Sequence, residues 1–212
     1  MSAAPRQIVL ASGSPRRREL LAALGVTFEV DPADVDEATE EQDPIRVAEM
    51  LALLKARTVA ARRPDAVVIG SDTVVALDGR LLGKPADAEE ARSMLRSLRT
   101  RAHEVVTGVA VIADGPAGVI EHLAHSRTVV TMRDYADAEI EAFIATGSPF
   151  DKAGGYASQD PVFAPTASIE GCACGVVGLP VRTLRDLLRD AGLEVHGAAP
   201  AFCADCVARW VG

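Results

Sequence analysis

The strand-to-helix stretch that decides the fold is QIVLASGSPRRRELLAALG, residues 7–25. Residues 7–11 form a short apolar run typical of a buried strand, and the Ser-Gly-Ser-Pro turn of residues 12–15 ends it. Residues 16–24 then carry apolar side chains at helical spacing and stop before Gly25, a residue favoured just after a helix. A strand, a turn and a helix in this order open an α/β arrangement.

The rest of the chain continues this alternation and then changes to hairpins. Asp43-Pro44 is typical of a helix N-cap followed by proline, and Asp78-Gly79 suits a tight hairpin turn. We predict strands at 26–30, 66–70, 74–77, 80–82, 103–113 and 126–133, and helices at 44–61, 88–98, 138–145 and 180–191. This order predicts the α/β class, with a mixed twisted sheet flanked by helices and two lobes within one domain.

The negative charge of the chain is concentrated in one segment. The 212 residues carry a formal charge of -8, and residues 31–50 alone hold eight acidic residues against one basic residue. Proteins that coat long nucleic acids need many Lys and Arg contacts to phosphate, so the composition argues against a general DNA- or RNA-binding role.

No segment has the pattern of a membrane span or a secretion signal. The apolar runs are interrupted within about a dozen residues, whereas a membrane span needs roughly 20. The N-terminal segment lacks the long apolar stretch and the small-residue cleavage site of a signal peptide. We therefore expect a cytoplasmic protein with no membrane partner.

The first candidate site is the turn at residues 12–18, Ser-Gly-Ser-Pro-Arg-Arg-Arg. Small residues such as Ser12 let the backbone approach an anion, and the guanidinium groups of Arg16 and Arg17 can add charge-assisted hydrogen bonds. The turn lacks the Gly-Lys-Ser/Thr ending of a Walker A loop. The alternative is a capped helix with a solvated basic first turn, although this placement opposes the helix dipole.

The second candidate site is Ser71-Asp72-Thr73, directly after a predicted buried strand. Open α/β sheets place their ligands at this end of their strands, and a carboxylate there can hold a divalent cation or accept a proton from water. The alternative is an Asx-type turn. Glu37 in the acidic segment is a candidate for a second metal carboxylate, within a loop that otherwise suits solvated surface.

Lysine is rare in this chain, since 19 of its 22 basic residues are Arg. Lys84 and Lys152 stand in Gly-rich surroundings, where a compact ammonium group can reach a polyphosphate. For Lys55, on the helix after the acidic segment, the residue pattern alone favours a solvated surface position.

The cysteines form two close pairs, Cys172-Ala173-Cys174 and Cys203-Ala204-Asp205-Cys206. Four thiols could bind zinc, but the first pair has one intervening residue and 28 residues separate the pairs. The preferred interpretation is reduced, small core residues with an exposed, at most redox-sensitive, C-terminal pair. The four histidines have no convincing metal-ligand spacing, which favours surface or hydrogen-bonded roles.

Together the motifs resemble the Maf family of nucleoside triphosphate pyrophosphatases over about residues 7–190. Each motif is weak alone, and their order and spacing make the resemblance specific. The motifs are Leu10-Ala11-Ser12-Gly13-Ser14-Pro15-Arg16-Arg17, Asp34-Val35-Asp36-Glu37, Ile69-Gly70-Ser71-Asp72-Thr73-Val74-Val75, Gly83-Lys84-Pro85, His103-Glu104-Val105-Val106-Thr107-Gly108, Asp151-Lys152-Ala153-Gly154-Gly155-Tyr156 and Val176-Val177-Gly178-Leu179-Pro180.

The resemblance implies two lobes with a central cleft, and hydrolysis of a nucleoside triphosphate to the monophosphate and pyrophosphate. It also implies a divalent metal cofactor, magnesium or manganese, and a homodimer. Asp72 is similar to the family's catalytic proton acceptor and Glu37 to a metal or catalytic carboxylate, so both are our metal and catalytic candidates. The expected substrate-binding residues are Ser12, Arg16, Arg17, Lys55, Thr73, Lys84, Lys152 and Gln159.

Arg17, Thr73 and Gln159 match the positions that mark the family branch acting on dTTP and UTP, with modified pyrimidine nucleotides as further substrates. Alternatives are a branch acting on 7-methyl-GTP or CTP, a nucleotide-binding regulator of cell division without turnover, and a zinc or redox module. Cys172-Ala173-Cys174-Gly175 replaces a Ser-Tyr-Ser-Asn-like stretch of the family. We predict a single domain over 1–212, with 193–212 as a C-terminal extension outside the shared pattern.

Overall fold

The computed structural model describes residues 6–115 and 118–203, which form a seven-stranded mixed sheet with helices on both faces. In its parallel part, β1 (Ile8–Leu10) lies between β2 (Phe28–Val30) and β3 (Val67–Leu77). The connections are α1 (Pro15–Ala23) and α2 (Pro44–Ala60). Among the described residues, no helix combines the length and apolar character that crossing a bilayer requires.

The antiparallel part is built around the long hairpin of the fifth and sixth strands. Strand β3 pairs with β5 (Ala102–Gly115), and β5 pairs with β6 (Gly118–Met132). Strand β6 in turn pairs with β7 (Thr166–Glu170). The short β4 (Arg80–Leu82) pairs with the end of β3. The sheet order is therefore β2-β1-β3-β5-β6-β7, with β4 beside β3.

Side-chain alternation along the strands divides the core between the two faces. Ile8, Leu10 and the side chains aligned with them pack against α1, α5 (Ala173–Val177) and α6 (Val181–Asp190), whereas Val9 and its neighbours pack against α2. We call this part the first lobe.

The second lobe forms where β3 and β5 extend past the parallel strands. There Val75 and Val105 pack with α3 (Ala88–Leu98) and α4 (Asp137–Ala145). Two 3-10 turns follow α4, at Ser148–Asp151 and Ala153–Gly155. The predicted two-lobed α/β fold with a mixed sheet is confirmed.

Helix α2 approaches the sheet closely because two glycines lie beneath it. A Cβ atom on Gly70 would stand 2.2 Å from the Ala52 carbonyl oxygen, and one on Gly108 would stand 2.2 Å from that of Ala48. No side chain fits at such distances, so the helix backbone rests on the sheet. This contact sets the position of the helix over the centre of β3.

The helix predictions agree with the structure, and several strand predictions need correction. Asp43 caps α2 by accepting hydrogen bonds from the Ile45 and Arg46 amides at 2.9 and 3.0 Å. The predicted end of a strand at Gly70 is wrong, because β3 runs without interruption to Leu77. Strand β6 begins at Gly118 rather than 126, and β7 and α5 were not predicted.

The C-terminal segment after α6 packs onto the first lobe as far as the structure describes it. The Gly197 amide donates to the Leu24 carbonyl oxygen at 3.0 Å, and a Cβ atom at Gly197 would meet the Leu24 carbonyl carbon at 2.1 Å. Leu193 and Val195 contact the first-lobe core, and Cys203 is fully buried in it. The predicted exposed position of Cys203 is therefore wrong, and Cys206 lies outside the described residues.

Candidate functional site

A cleft of about 870 Å³ separates the two lobes. It opens at one edge of β3, where β1 pairs only as far as Ile69 and β4 begins to pair at Val75. The β3 residues between these two pairings face the open edge. The cleft is lined by every predicted site residue: Ser12, Arg16, Arg17, Glu37, Lys55, Asp72, Thr73, Lys84, Lys152 and Gln159.

Lys55 and two carboxylates form the most buried polar group of the cleft. The Lys55 ammonium lies 2.5 Å from Asp72 Oδ1 and 2.7 Å from Glu37 Oε1. Lys55 and Asp72 are 6% and 7% exposed, so both charges are almost removed from water, while Glu37 is more exposed. The predicted solvated position of Lys55 is wrong.

Burial and charge move the pKa values of the two carboxyl groups in opposite directions. Burial raises the pKa of Asp72 above its usual range, although the charges of Lys55 and Arg17 act against this. Partial burial also acts to raise the pKa of Glu37. The hydrogen bond and charge of Lys55, together with the charges of Lys84 and Arg17, outweigh it, so that this pKa is lowered. A carboxyl group with a raised pKa is a better proton acceptor than one with an ordinary pKa.

Arg17 links the opening turn to β3 and to the segment after α5. Its Nε donates to the Gly178 carbonyl oxygen at 2.9 Å, and its two terminal nitrogens donate to Ser12 Oγ at 3.2 Å and to Thr73 Oγ1 at 3.3 Å. Burial lowers the pKa of the guanidinium, which the charge of Asp72 opposes. The predicted phosphate turn thus forms one wall of the cleft.

The remaining cationic side chains stand around the cleft. Arg16 and Lys84 line it from the first helix and from the segment after β4. The Lys152 ammonium donates to the Ser148 carbonyl oxygen at 2.6 Å and also contacts the Asp151 carboxylate. Five cationic and four acidic side chains line the cleft, although the whole chain carries a charge of -8.

Asp72 and Glu37 fit a divalent cation completed by substrate oxygens. The contacts with Lys55 use one oxygen of each carboxylate, Oδ1 and Oε1. Mg²⁺ in proteins is commonly bound through one or two carboxylates together with substrate phosphates and water. Two carboxylates beside one ammonium, in a cleft with a basic wall, have the donor chemistry for that kind of site.

The sequence alone assigned no chemical role to two groups of the site, the Thr107 hydroxyl and the Gly178 carbonyl oxygen. Thr107 Oγ1 lies 2.9 Å from Thr73 Oγ1 and donates to the Gly175 carbonyl oxygen at 2.8 Å. The Gly178 carbonyl oxygen accepts from Arg17 and also from Ser71 Oγ, at 2.9 Å in each case. Ser71 and Thr73 are thereby held within the sheet, so the predicted Asx-type alternative for this segment is also wrong.

The chain is similar to known proteins over most of its length. A family model described as "Maf-like protein" matches residues 7–191. A dTTP/UTP pyrophosphatase of Thermomicrobium roseum is 51% identical over 205 residues, which cover 94% of this chain and 92% of that protein. Another, of Pelotomaculum thermopropionicum, is 48% identical over 191 residues, covering 90% of this chain and 99% of that protein.

One solved structure has a weaker likeness. It is a nucleoside-triphosphatase / dITP/XTP pyrophosphatase from Mycobacterium abscessus, 21% identical, covering 59% of this chain and 74% of its own. The TM-score is 0.40.

Proposed function

The chain belongs to the Maf-like protein family, and on that premise we propose that it is a nucleoside triphosphate pyrophosphatase that hydrolyses dTTP and UTP. The products are the nucleoside monophosphate and pyrophosphate, and the activity removes nucleotides from the cellular pool. The observation that carries the proposal is the Lys55–Asp72–Glu37 group inside a cleft lined by further cations.

Asp72 is the proton acceptor in this proposal. Water attacks the α-phosphorus of the nucleotide, its proton passes to a carboxylate oxygen, and the bond to the pyrophosphate oxygen breaks. Burial raises the pKa of Asp72, which favours proton uptake, and Lys55 holds the side chain in place by its contact with Oδ1.

Pyrophosphatases of this family are metal-dependent in general. We propose magnesium or manganese for this chain, held by Asp72 and Glu37. When bound there, the cation polarises phosphate oxygens and offsets charge on the leaving group. Direct ligation weakens a base, so we assign proton uptake to the Asp72 carboxylate oxygen that does not hold the cation.

Cationic side chains neutralise the triphosphate. Arg16, Lys84 and Lys152 line the cleft and carry the positive charge that a departing pyrophosphate needs. Arg17 is committed to Ser12, Thr73 and Gly178, so we propose that it acts chiefly by shaping the wall that receives the phosphates. Ser12, 7% exposed, contributes its hydroxyl to the same wall.

The pyrimidine preference is proposed for the part of the cleft near Gln159. Gln159 lines the same cleft as Arg17 and Thr73, which are joined by a hydrogen bond. A carboxamide offers one acceptor and two donors, which can pair with the ring N–H and carbonyl of a thymine or uracil base.

Product analysis with a substrate panel tests the proposal. Purified protein with magnesium or manganese should release pyrophosphate, not orthophosphate, from dTTP and UTP. CTP, 7-methyl-GTP and modified uridine triphosphates complete the panel and separate the family branches. Orthophosphate release would overturn the proposed reaction, and tight binding of dTTP without turnover would favour the regulator instead.

We also propose that the protein acts in the cytoplasm as a homodimer, without long nucleic acid or membrane partners. Its proposed substrates are small nucleotides, which are used in the cytoplasm. We propose further that residues 1–212 fold as one domain, to which the segment from 193 adds a C-terminal extension. Sedimentation of the purified chain measures the oligomeric state directly.

A further inference from the structure

Three cysteines that are far apart in the sequence meet outside the cleft, in the first-lobe core. The sulfur atoms of Cys172, Cys174 and Cys203 all lie within 4.8 Å of one another, and all three side chains are buried. Cys172 and Cys174 flank the start of α5, and Cys203 is brought to them by the packed C-terminal segment. The wide sequence separation of the two pairs is thus closed by the fold.

The spacing of the sulfur atoms agrees with a shared metal ion. Cys172 Sγ and Cys203 Sγ are 3.8 Å apart. A disulfide bond requires about 2.05 Å. Two thiolates bound tetrahedrally to zinc, each with a Zn–S bond of about 2.3 Å, lie about 3.8 Å apart.

Backbone amides point at two of the sulfur atoms. The Gly175 amide donates to Cys172 Sγ at 3.3 Å, and the Cys174 amide donates to Cys203 Sγ at 3.5 Å. Hydrogen bonds of this kind stabilise the negative charge of a thiolate and orient it as a ligand. The donors belong to the same short segment as two of the thiols. The backbone of this segment therefore donates hydrogen bonds to the sulfur atoms of the cluster.

We propose that Cys172, Cys174 and Cys203 bind a structural zinc ion that fastens the C-terminal segment to the first lobe. Thiolate sets select zinc over magnesium or manganese, and each ligating thiol releases its proton to solvent. These three thiolates supply three of the four ligands of a tetrahedral structural site.

The zinc site also supports one wall of the cleft. The segment that begins at Cys172 carries the Gly175 and Gly178 carbonyl oxygens, which accept hydrogen bonds from Thr107 and Arg17. A metal ion at the start of this segment limits its movement. The zinc ion therefore supports this wall and takes no part in the reaction.

Metal analysis of the full chain tests the proposal. Protein purified without chelators or metal-affinity steps should contain about one zinc ion per chain by elemental mass spectrometry. Cys172→Ser, Cys174→Ser and Cys203→Ser should each lose most of it. Ala173→Ser, a matched change between two of the ligands, should retain it.

A second measurement uses only the wild-type chain and so does not depend on whether the cysteine variants fold. Cobalt exchanged into the wild-type chain should give thiolate-to-cobalt charge-transfer absorption in the near ultraviolet, and zinc should abolish it. Wild-type protein with all thiols reduced and no bound metal would overturn the proposal. A Cys172–Cys203 disulfide, detected as a mass two hydrogens lower, or iron in place of zinc would overturn it equally.

Discussion

The ammonium group of Lys55 lies between two carboxylates in a part of the protein that offers it little water. Lys55 stands on α2 at a position where residues 48, 52, 56 and 59 are also buried. That periodicity is visible in the sequence and could have placed Lys55 on the buried face. What the sequence could not supply is the partner, because Asp72 comes from a strand 17 residues away.

Removing the Lys55 charge should destabilise the protein and slow the reaction. In Lys55→Met, Asp72 stays buried beside Glu37 without its counter-ion, and breaking a buried ion pair costs about 3 kcal/mol. Urea unfolding should show this decrease in the free energy of unfolding, and kcat should fall with it. A variant as stable as the wild type would contradict the assigned ion pair.

The matched control for Lys55 is Arg57, which is two residues further along the same helix and in an exposed environment. Arg57 lies on the same helix and pairs with Glu121 at 2.6 Å on the exposed side. Exposed ion pairs contribute little to stability. Arg57→Met should therefore leave both the unfolding curve and kcat close to those of the wild type.

His103 gives the protein a pH-dependent stability outside the cleft chemistry. The ring is 3% exposed and its Nε2 lies 2.6 Å from the Tyr156 hydroxyl. Burial lowers the pKa of His103 from 6.5 to about 4. Between these values the unfolded chain binds a proton that the folded chain does not, so stability falls as the pH falls.

The loss should reach about 3 kcal/mol when the pH falls below the folded-state value. Urea unfolding between about pH 6.5 and about pH 5 measures its onset, before most carboxyl groups titrate. His103→Gln keeps a hydrogen-bonding side chain and has no proton to bind, so its stability should depend less on pH in this range. An equal slope in both proteins would rule out the contribution of His103.

Strand β3 shows why the sequence predicts only part of the site. The polar triplet at Ser71, Asp72 and Thr73 is typical of a turn, yet it lies within an eleven-residue strand. Each side chain finds a partner from another element: Gly178 and Gly108 for Ser71, Lys55 for Asp72, Arg17 and Thr107 for Thr73. Local sequence cannot report such tertiary partners, so the predicted strand ended at Gly70.

The close contact between α2 and the sheet yields a prediction at the same scale. Gly108→Ala places a Cβ atom 2.2 Å from the Ala48 carbonyl oxygen, so the helix must move away. Overpacking of this kind costs about 3 kcal/mol, and the shift withdraws Lys55 from Asp72. The free energy of unfolding, measured with urea, and kcat should therefore both decrease.

Gly83 is the control for this change in stability. No atom lies within 4 Å of a Cβ built there, so Gly83→Ala should alter the free energy of unfolding by less than about 0.5 kcal/mol. If Gly108→Ala were equally harmless, helix α2 would not rest on the sheet as the structure has it.

At the scale of the whole molecule, the acidic segment serves two purposes. Asp31 pairs with Arg62 at 2.5 Å and Glu41 pairs with Arg46 at 3.7 Å, both away from the cleft. From this segment, Glu37 reaches the cleft and contacts Lys55. Charge counting along the sequence located the segment, but the distinction between these two uses depends on the fold.

The C-terminal segment should contribute to global stability even though the family model ends at residue 191. A chain ending at Gly192 lacks Leu193, Val195 and Cys203, which contact the first-lobe core. Burial of one large apolar side chain contributes about 2 kcal/mol, so the shortened chain should unfold at clearly lower urea concentration. Phe202→Ser, an exposed position in the same segment, is the matched control and should change little.

If the shortened chain unfolded at the same urea concentration as the full chain, the segment would not stabilise the core. The truncation leaves every residue of the cleft in place. Its effect on kcat should consequently be smaller than its effect on unfolding.

The most direct test of the proposed chemistry is Asp72→Asn in the pyrophosphate-release assay with dTTP. Asparagine keeps the shape of the side chain but cannot accept the proton or supply a negative ligand, and loss of such a group slows catalysis about 10²- to 10⁴-fold. Glu121→Gln, which breaks the exposed Arg57 pair, is the control and should keep wild-type kcat. The account predicts that Asp72→Asn binds dTTP by calorimetry and releases almost no pyrophosphate; an Asp72→Asn enzyme with near wild-type turnover would contradict it.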